Sequence, residues 1–487
     1  MIYKYKNIFL FSLWGLICLY FTVNHVIWRD EMRALSIVMD SQSIFDLAFN
    51  KLENEGHPLL WYIILYILYF FLKSTIVLKI ASFFIGIFNT YLIVFKTKLS
   101  FLVKFLLIFT SLMFFEYTIK ARNYGISITF ILLIYILLDK NFNKKNYIYL
   151  TICTLLLAQT NVIGFLISIA LHLIYLIEKR IKDKRVILTS TIAILFSTVL
   201  FYFTTQINSN SVFFIDKQEL IKKVFSLNSF SLLLPYYSFK PFIDVVTPMG
   251  ITIGIIILGL MLFSLKKSKL YLLVIYFLLI FTQFISINVY GLFARHIGLI
   301  IILYILLYFR AHRAENQLSV KKFINLPTLF LIIFFVANLV QFNENIKQPL
   351  SCSKEFSNFI QNEKFKNSIL IGERDFFAES IPYYSNIDIY IPREKIYSKI
   401  THFTYNNSDT LKMSEIFHFS DSVKRPILLL FDSFSHYKSK PIRNFYNMRD
   451  KCFIFDSLNL SRIEYLKSFT NAQSDETYEL YYIKSTQ

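Results

Sequence analysis

Long apolar runs recur along the first 341 residues, and they constrain the fold more than any other feature of this sequence. A helix needs about 20 apolar residues to cross the hydrocarbon core of a bilayer. Runs of this kind repeat from Ile8 to Gln341, with short polar breaks between them. The chain of 487 residues is 55% hydrophobic and contains 53 Phe and 32 Tyr, which excludes a soluble protein for most of it. The sequence therefore predicts a polytopic α-helical membrane protein.

The composition changes after Gln341, because the remaining residues are polar and carry only short apolar runs. We predict two domains: a transmembrane domain over 1–342, which includes a first outer loop over 28–57, and a small α/β domain over 343–487. Four segments of the second domain read as strands. They are SILIGE (368–373), IDIYIP (387–392), PILLLF (426–431) and YELYYIK (478–484). This domain has no GxGxxG and no phosphate loop, so no catalysis is assigned to it.

Basic clusters between the apolar runs predict the topology. A net charge of +19 would suggest nucleic acid for a soluble protein, but here the clusters lie beside apolar runs and indicate cytoplasmic loops, so no nucleic-acid partner is predicted. The clusters are KNFNKK (140–145), EKRIKDKR (178–185), KKSK (266–269) and RAHR (310–313). With these loops inside, the N-terminus is also inside and the α/β domain lies outside the cytoplasm.

This topology predicts eleven crossings plus one ambiguous segment. Helices are predicted at about 8–27, 58–72, 76–95, 99–115, 122–138, 147–158, 163–177, 187–205, 249–265, 270–287, 293–309 and 324–341. The ambiguity lies in 58–115, where three runs are present but an even number of crossings is required. One of these runs is therefore predicted to be tilted, re-entrant or interfacial.

The first outer loop contains a predicted interfacial helix. In SIFDLAFNKL, Ser43 precedes Asp46 by three residues, which is a capping arrangement. Helical spacing then places one apolar face toward the membrane surface. That face consists of Phe45, Ala48, Phe49 and Leu52. The loop closes with HPLLWY, in which Pro58 suits a first helical turn.

Ionisable groups gather at the outer boundary under this topology, where such groups are costly and are functional candidates by default. They are Asp30 with Glu31, Glu55 with His57, Glu116 with Arg122 and Tyr124, and Arg295 with His296. Guanidinium groups bind phosphate oxygens bidentately, and a carboxylate can take the proton of an attacking hydroxyl. These parts fit the transfer of a group from a lipid-linked phosphate donor to a hydroxyl.

The order of four motifs resembles a known family. WRDE (28–31), HPLLWY (57–62), EYTIKARNYG (116–125) and FARHIG (293–298) together resemble the bacterial glycosyltransferases of the GT-C superfamily. These are related to protein O-mannosyltransferases and to the aminoarabinose transferases that modify lipid A. The resemblance covers the membrane part, in layout more than in residue identity. It implies a polyprenyl-phosphate sugar donor, an envelope glycan, lipid or protein as acceptor, and an active site on the outer face of the bacterial inner membrane.

The resemblance also implies roles for individual residues. Asp30 would be the base that deprotonates the acceptor hydroxyl, with inversion at the sugar, and Glu31 beside it would help to hold the acceptor. Arg122 and Arg295 would bind the donor phosphate. Supporting phosphate contacts would come from His57, Tyr124 and His296.

Two points are left open by the sequence. Glu116 would either orient Arg122 or join Asp30 and Glu31 in binding a divalent cation; no cofactor is certain, because no ligand spacing demands one. Cys352 and Cys452 would pair outside the cytoplasm, with unbonded thiols as the equal alternative.

Each assignment has an alternative. The acidic pair also fits a solvated helix end, the arginines fit snorkelling anchors, and the histidines fit packing residues. At the level of function, the alternatives are an O-antigen polymerase or ligase, and a non-enzymatic lipid or sugar transporter. Lys79, within an apolar run, favours a transporter, whereas the acidic pair directly after the first helix favours the transferase.

Overall fold

Helices occupy all of the predicted apolar runs in the computed structural model of this chain. The residues that the structure describes are 2–52, 55–205, 248–288, 294–313, 325–373, 375–385, 387, 389–398, 411–432, 453–454 and 460–485. The helices of the membrane part are α1 (Ile2–Asn24), α2 (Arg29–Asp40), α3 (Ile44–Asp46), α4 (Leu60–Leu72), α5 (Val77–Tyr91), α6 (Phe101–Ile108), α7 (Tyr124–Leu138), α8 (Lys144–Ala158), α9 (Val162–Glu178), α10 (Lys184–Thr204), α11 (Pro248–Ser264), α12 (Lys269–Asn288), α13 (Ala294–Ala311) and α14 (Leu326–Lys347). The prediction of a largely helical chain with many apolar helices is confirmed.

Fewer helices than predicted are long enough to cross a bilayer unaided. By length and composition, four described helices qualify: Tyr5–Asn24, Val77–Lys96, Lys184–Thr204 and Leu326–Lys347. A fifth forms if α6 and the π-helical segment Leu112–Ile119, which are bent by 48° at a short break, count as one span. The bend falls in the region where the predicted crossings conflict. Several other apolar helices are shorter; α4, for example, has 13 residues and is capped by Lys73, whose φ of 45° is left-handed.

The outer faces of these helices are apolar and exposed, as a lipid environment requires. Along α10 the side chains of Leu188, Phe196 and Phe203 are each about 60% exposed. Exposed apolar surface on this scale is not stable in water, whereas a helix with all backbone hydrogen bonds satisfied is stable in lipid. The inner faces bury a continuous core, in which Trp14, Phe21 and Phe114 lie edge to face.

The first outer loop is more helical than the sequence analysis predicted. Helix α2 begins with charged residues and buries Met32, Leu35 and Val38. Their spacing of three residues is typical of one helix face, but no helix was predicted here. The predicted cap of α3 is confirmed, because the Ser43 hydroxyl accepts a hydrogen bond from the Asp46 N–H at 3.0 Å.

The single apolar face predicted after that cap is split. Phe45 and Phe49 are more than 70% exposed, but Leu52 is buried. The reason is that α3 continues as the π-helical segment Leu47–Lys51, whose wider turn rotates later residues away from the α-helical face.

The C-terminal α/β unit (residues 349–485) is built on one mixed sheet. Its strands are β1 (Ile369–Glu373), β2 (Ile389–Ile391), β3 (Ile396–Ser398), β5 (Ile427–Asp432), β7 (Ile463–Phe469) and β8 (Tyr478–Ile483), with β4 (Leu411–Lys412) and β6 (Phe453–Ile454) paired separately. The order in the sheet is β3-β2-β1-β5-β8-β7, and β1 is parallel to both β2 and β5. The four predicted strands are confirmed. A helix lies on each face, Ser353–Ile360 on one and Met413–Val423 on the other, so both sides of the sheet are covered.

At one end of the bundle, a charged cluster joins the ends of several helices. Arg310 near the end of α13 bonds to Asp139, which follows α7, and to Glu178, which ends α9, the latter at 2.7 Å. Its Nε also donates to the hydroxyl of Tyr271 at 2.9 Å, and Arg313 pairs with Asp139 at 2.9 Å. All of these residues lie in or beside the basic clusters assigned to the cytoplasm. Cations at the C-terminal ends of helices also interact favourably with the negative ends of the helix dipoles.

We predict that Arg310→Gln destabilises the bundle by about 3 kcal/mol, because removing one partner leaves half-buried carboxylates without compensation. The measurement is the thermal unfolding midpoint of the detergent-solubilised protein. The triple variant with Asp139→Asn and Glu178→Gln should regain part of the loss, since it removes the unpaired charges too. Lys145→Gln, an exposed lysine at the start of α8, is the matched control. An unchanged midpoint in Arg310→Gln would contradict this role of the cluster.

Candidate active site

The start of α2 is fixed by the side chain of its third residue. Trp28 has extended backbone geometry at the N-cap position, and its N–H donates to Glu31 Oε2 at 3.0 Å. Asp30 and Glu31 also lie in the first turn, where carboxylates are favoured by the helix dipole. The two neighbouring carboxylates therefore share one role in starting the helix, but they point to different surroundings.

Glu31 is fully buried and is held by hydrogen bonds on several sides. His25 Nε2 lies 2.9 and 3.0 Å from its two oxygens, and the N–H of Ala121 donates to Oε1 at 2.6 Å. Burial opposes ionisation, but His25 and the backbone donors outweigh it and lower the pKa of Glu31. This carboxylate connects α2 to the turn before α7, and its hydrogen bonds leave it facing protein on all sides.

That turn carries Arg122. The chain leaves the π-helical segment at Ile119, turns through a hydrogen bond from the Arg122 N–H to the Lys120 carbonyl, and enters α7 at Tyr124. Gly125 allows the close approach of α7 to this segment, because a Cβ there would overlap the carbonyl oxygen of Tyr117. Arg122 is thus placed by a backbone turn that Glu31 and Gly125 hold from two sides.

Arg295 reaches the same place from the first turn of α13. The hydroxyl of Tyr117 donates to the Arg295 carbonyl at 2.8 Å, and Gly298 leaves room for that hydroxyl. The next residue, His296, is buried, and its Nε2 lies 2.7 Å from the hydroxyl of Tyr124. Two side chains predicted as phosphate contacts, Tyr124 and His296, therefore bond to each other behind the arginines.

The Asp30 carboxylate is the point where these elements meet. Arg122 Nη1 lies 2.9 Å from Asp30 Oδ2, and Arg295 Nη2 lies 3.8 Å from the same oxygen. The Asp30 side chain is 28% exposed, while those of Arg122 and Arg295 are 9% and 13% exposed. Two guanidinium charges and one carboxylate leave a net charge of +1, so the site has capacity for a further anion.

Electrostatics set the protonation states of the two groups that can move a proton. Burial would raise the pKa of Asp30, but Arg122, Arg295 and Arg29 together lower it. Burial, and then the charges of the same pair Arg122 and Arg295, lower the pKa of His57 to about 4. At neutral pH, Asp30 is therefore ionised and His57 is a neutral imidazole.

Two buried polar atoms at the site have no hydrogen-bond partner among the described residues. They are the indole Nε1 of Trp28 and the imidazole Nδ1 of His57. The Trp28 ring also lies 5.7 Å from the guanidinium carbon of Arg122. Buried polar groups are nearly always satisfied in folded proteins, so these two atoms are free to bond to water or to a polar ligand at the site.

Glu116 is held by a lysine of its own helical segment. It forms an ion pair with Lys120 one turn later and is in electrostatic contact with Arg122 and Arg295. Within the described part of the chain, no group of three or more His, Cys, Asp or Glu side chains is placed to hold a metal ion. Asp30 and Glu116 thus interact with the same two arginines, and Glu31 bonds to His25 and backbone N–H groups instead.

The structure brings together the residues that the sequence analysis singled out. Asp30, His57, Arg122 and Arg295 interact in one cationic cluster (the pocket residues). The hydrogen-bonded pair Tyr124 and His296 adjoins this cluster, Glu116 interacts with both arginines, and Glu31 bonds to the turn before Arg122. Glu55, by contrast, pairs with Arg33 and faces the C-terminal unit. Two further residues of the site were not predicted: Trp28, which stands in the motif WRDE, and Lys120, whose i,i+4 spacing from Glu116 indicates an ion pair.

One prediction falls on a position outside the described residues. It is the pairing of Cys352 with Cys452, because Cys452 is not among them. Cys352 itself is buried in the C-terminal unit.

Comparison with known proteins adds little to this geometry. No family model matches the chain, and no curated protein sequence matches it. Among solved structures, the crystal structure of ArnT from Cupriavidus metallidurans in the apo state aligns with a TM-score of 0.44 and 13% identity, over 99% of each chain. A likeness of this degree carries no functional argument, so the function must be inferred from the chain's own residues.

We predict that Glu31→Ala destabilises the protein by about 3 kcal/mol or more, because it leaves the buried N–H groups of Trp28 and Ala121 unsatisfied. The adjacent Asp30→Asn should cost clearly less, about 1 kcal/mol, because the amide oxygen can still accept a hydrogen bond from Arg122 and the side chain is partly exposed. Thermal unfolding in detergent measures both. Equal destabilisation by the two variants would contradict the separation of a structural and a site carboxylate.

Proposed function

We propose that this protein is a membrane glycosyltransferase that moves a sugar from a polyprenyl-phosphate donor to a hydroxyl of an envelope glycan, lipid or protein. The observation that carries the proposal is the convergence of Arg122 and Arg295, from two separate helices, on the single carboxylate of Asp30. The pocket lies at one end of an apolar helix bundle. We assign it to the outer face of a bacterial inner membrane, opposite the Arg310 cluster.

The donor would place its polyprenyl tail along the helices and its phosphate against the two guanidiniums. Guanidinium forks match phosphate oxygens, and an anion at a low-dielectric border gains more from such contacts than it does in water. Trp28 Nε1 and His57 supply uncharged hydrogen-bonding atoms for the remaining oxygens or for the sugar. As the sugar leaves, negative charge builds on the phosphate, and fixed cations stabilise it.

Asp30 would act as the base. It takes the proton of the acceptor hydroxyl as that oxygen bonds to the anomeric carbon, while the bond from this carbon to the phosphate oxygen breaks. The products are the glycosylated acceptor and a polyprenyl phosphate, whose oxygen keeps the bonding electrons. Attack opposite the leaving phosphate inverts the anomeric configuration.

The ion pair to Arg122 implies an order of binding. In the unliganded protein, Arg122 and Arg295 lower the pKa of Asp30 and so weaken it as a base. A bound phosphate would compete for both guanidiniums and offset their charge, which would release the carboxylate and raise its basicity. Donor before acceptor is therefore the favoured sequence.

The remaining site residues would support this reaction without touching the reacting atoms. The Tyr124–His296 hydrogen bond would join the starts of α7 and α13 beside Arg295, and Glu31 positions the turn that carries Arg122. We therefore propose a positioning role for Glu31 in place of the acceptor contact expected from the sequence. Glu116 with Lys120 would orient the arginines at the edge of the pocket; a divalent cation at Glu116 is not needed for this mechanism.

The transporter alternative loses its main support. Lys79 Nζ donates to the carbonyl of Val23 at 2.9 Å, next to the end of α1 at Asn24. This lysine therefore satisfies a carbonyl at a helix end, as anchoring side chains do.

We predict that Asp30→Asn abolishes sugar transfer but binds the polyprenyl-phosphate donor at least as tightly as wild type, because it removes the competing carboxylate. Arg122→Gln and Arg295→Gln should each weaken donor binding by roughly tenfold or more, the value of a charge-assisted hydrogen bond. The purified protein is incubated with labelled polyprenyl-phosphate sugars and an envelope extract, and donor binding is measured separately. Asp40→Asn, an exposed carboxylate at the far end of α2, is the matched control. Transfer by Asp30→Asn at the wild-type rate would overturn the base assignment.

We predict that activity does not fall near pH 6.5, the ordinary pKa of a His side chain, as the pH is lowered. Asp30 is ionised above its lowered pKa, and His57 is neutral above about 4, so neither gains a proton as the pH falls from neutral toward about 5. The measurement is kcat/KM for the donor across this range, which reports the free enzyme. A loss of activity centred near pH 6.5 that disappears in His57→Gln would contradict a neutral His57.

A further inference from the structure

The C-terminal unit binds directly to the segment that carries Asp30. The N–H of Ile27 donates to the hydroxyl of Tyr384 at 2.6 Å, and the hydroxyl of Ser353 donates to the Ile27 carbonyl at 3.2 Å. The N–H of Arg29 donates to Glu476 Oε1 at 2.8 Å. The backbone on the N-terminal side of Asp30 is therefore hydrogen-bonded to the C-terminal unit at three polar groups within three residues.

Two arginines of α2 extend this attachment. The Arg29 guanidinium forms two hydrogen bonds to Asp475, at 2.9 and 2.6 Å, and its carbon lies 4.9 Å from the ring centroid of Phe377. One turn later, Arg33 donates to Glu379 at 3.0 Å and also pairs with Glu55. Bidentate pairs fix direction as well as distance, so together they restrain both the position and the rotation of the helix start.

The residues between these contacts face the membrane part. Asp30 meets Arg122 and Arg295, and Glu31 meets Ala121. Residues 29, 30 and 31 therefore point to the C-terminal unit, to the pocket and to the α7 turn respectively. A rotation of α2 about Glu31 would move Asp30 relative to the two guanidiniums. The Arg29 contacts oppose such a rotation.

We propose that the C-terminal unit is a positioning element of the catalytic centre, with Arg29 and Asp475 as positioning residues that fix the Asp30 carboxylate. This inference rests on the function proposed for the pocket. It gives the α/β unit a role that needs no substrate contact and no catalytic group of its own. Displacement of a reacting group by about 1 Å can cost on the order of 100-fold in rate, so a restraint of this kind has a large effect on turnover.

The test uses the full-length protein and two readouts. Asp475→Asn should lower kcat roughly 10- to 100-fold, with the KM for the donor little changed, because Arg122 and Arg295 are untouched. Arg29→Gln should act alike, and the double variant should be no slower than the worse single variant, since both remove the same contact. Asp475→Glu, which keeps a carboxylate, should recover most of the rate.

The second readout is independent of sugar transfer. Amide hydrogen exchange across residues 25–33 should be about fivefold faster or more in Asp475→Asn and Tyr384→Phe. Lys467→Gln, which breaks the exposed ion pair to Glu355 within the C-terminal unit, should change neither readout.

If exchange in Asp475→Asn is unchanged, the restraint does not exist. If exchange rises while kcat stays at the wild-type value, the restraint does not position Asp30. Either result overturns the proposal. A wild-type protein without transferase activity but with the predicted exchange pattern would instead count against the transferase assignment alone.

Discussion

The buried carboxylate of Glu31 is the interaction on which the rest of the site depends. It bonds to His25, directly after the first apolar helix, caps the start of α2 through the Trp28 N–H, and holds the turn before α7 through the Ala121 N–H. A buried charge of this kind is costly unless all of its oxygens are satisfied, and here they are. Because one side chain fixes three backbone segments, Asp30, which precedes Glu31, and Arg122, which follows Ala121, are brought within hydrogen-bond distance.

The two ends of the bundle are linked through the helices that carry the arginines. Helix α7 begins just after Arg122 and ends beside Asp139, while α13 carries Arg295 in its first turn and Arg310 in its last. At 1.5 Å per residue, α7 spans roughly 22 Å and α13 roughly 27 Å. The ion pair between Arg310 and Asp139 therefore sets the relative height of α7 and α13, and by this route also the spacing of Arg122 and Arg295 at the opposite end.

Local sequence patterns predicted the helices and the central strands well, and the pocket residues in large part. Apolar runs and caps such as Ser43 are determined by near neighbours, and ionisable residues flanking apolar helices are few enough to be noticed. What could not be predicted is long-range pairing. Nothing near Arg33 points to Glu379, which lies 346 residues away, and nothing in the acidic pair shows which carboxylate is buried. Helix lengths were overestimated where π-helical segments and bends interrupt an apolar run without any Gly or Pro to mark the break.

The same triplet of charges shows how burial divides neighbouring groups into different tasks. Arg29 and Glu31 each meet fixed partners within the protein, so their charges are neutralised before any substrate binds. Asp30 meets two guanidiniums that together exceed its charge, and it keeps the greatest exposure of the three pocket charges. In the proposed reaction, an incoming phosphate would displace it without leaving any group unpaired, because the freed carboxylate would accept a hydroxyl proton. The resting ion pair would then hold the proposed base inactive until the donor binds.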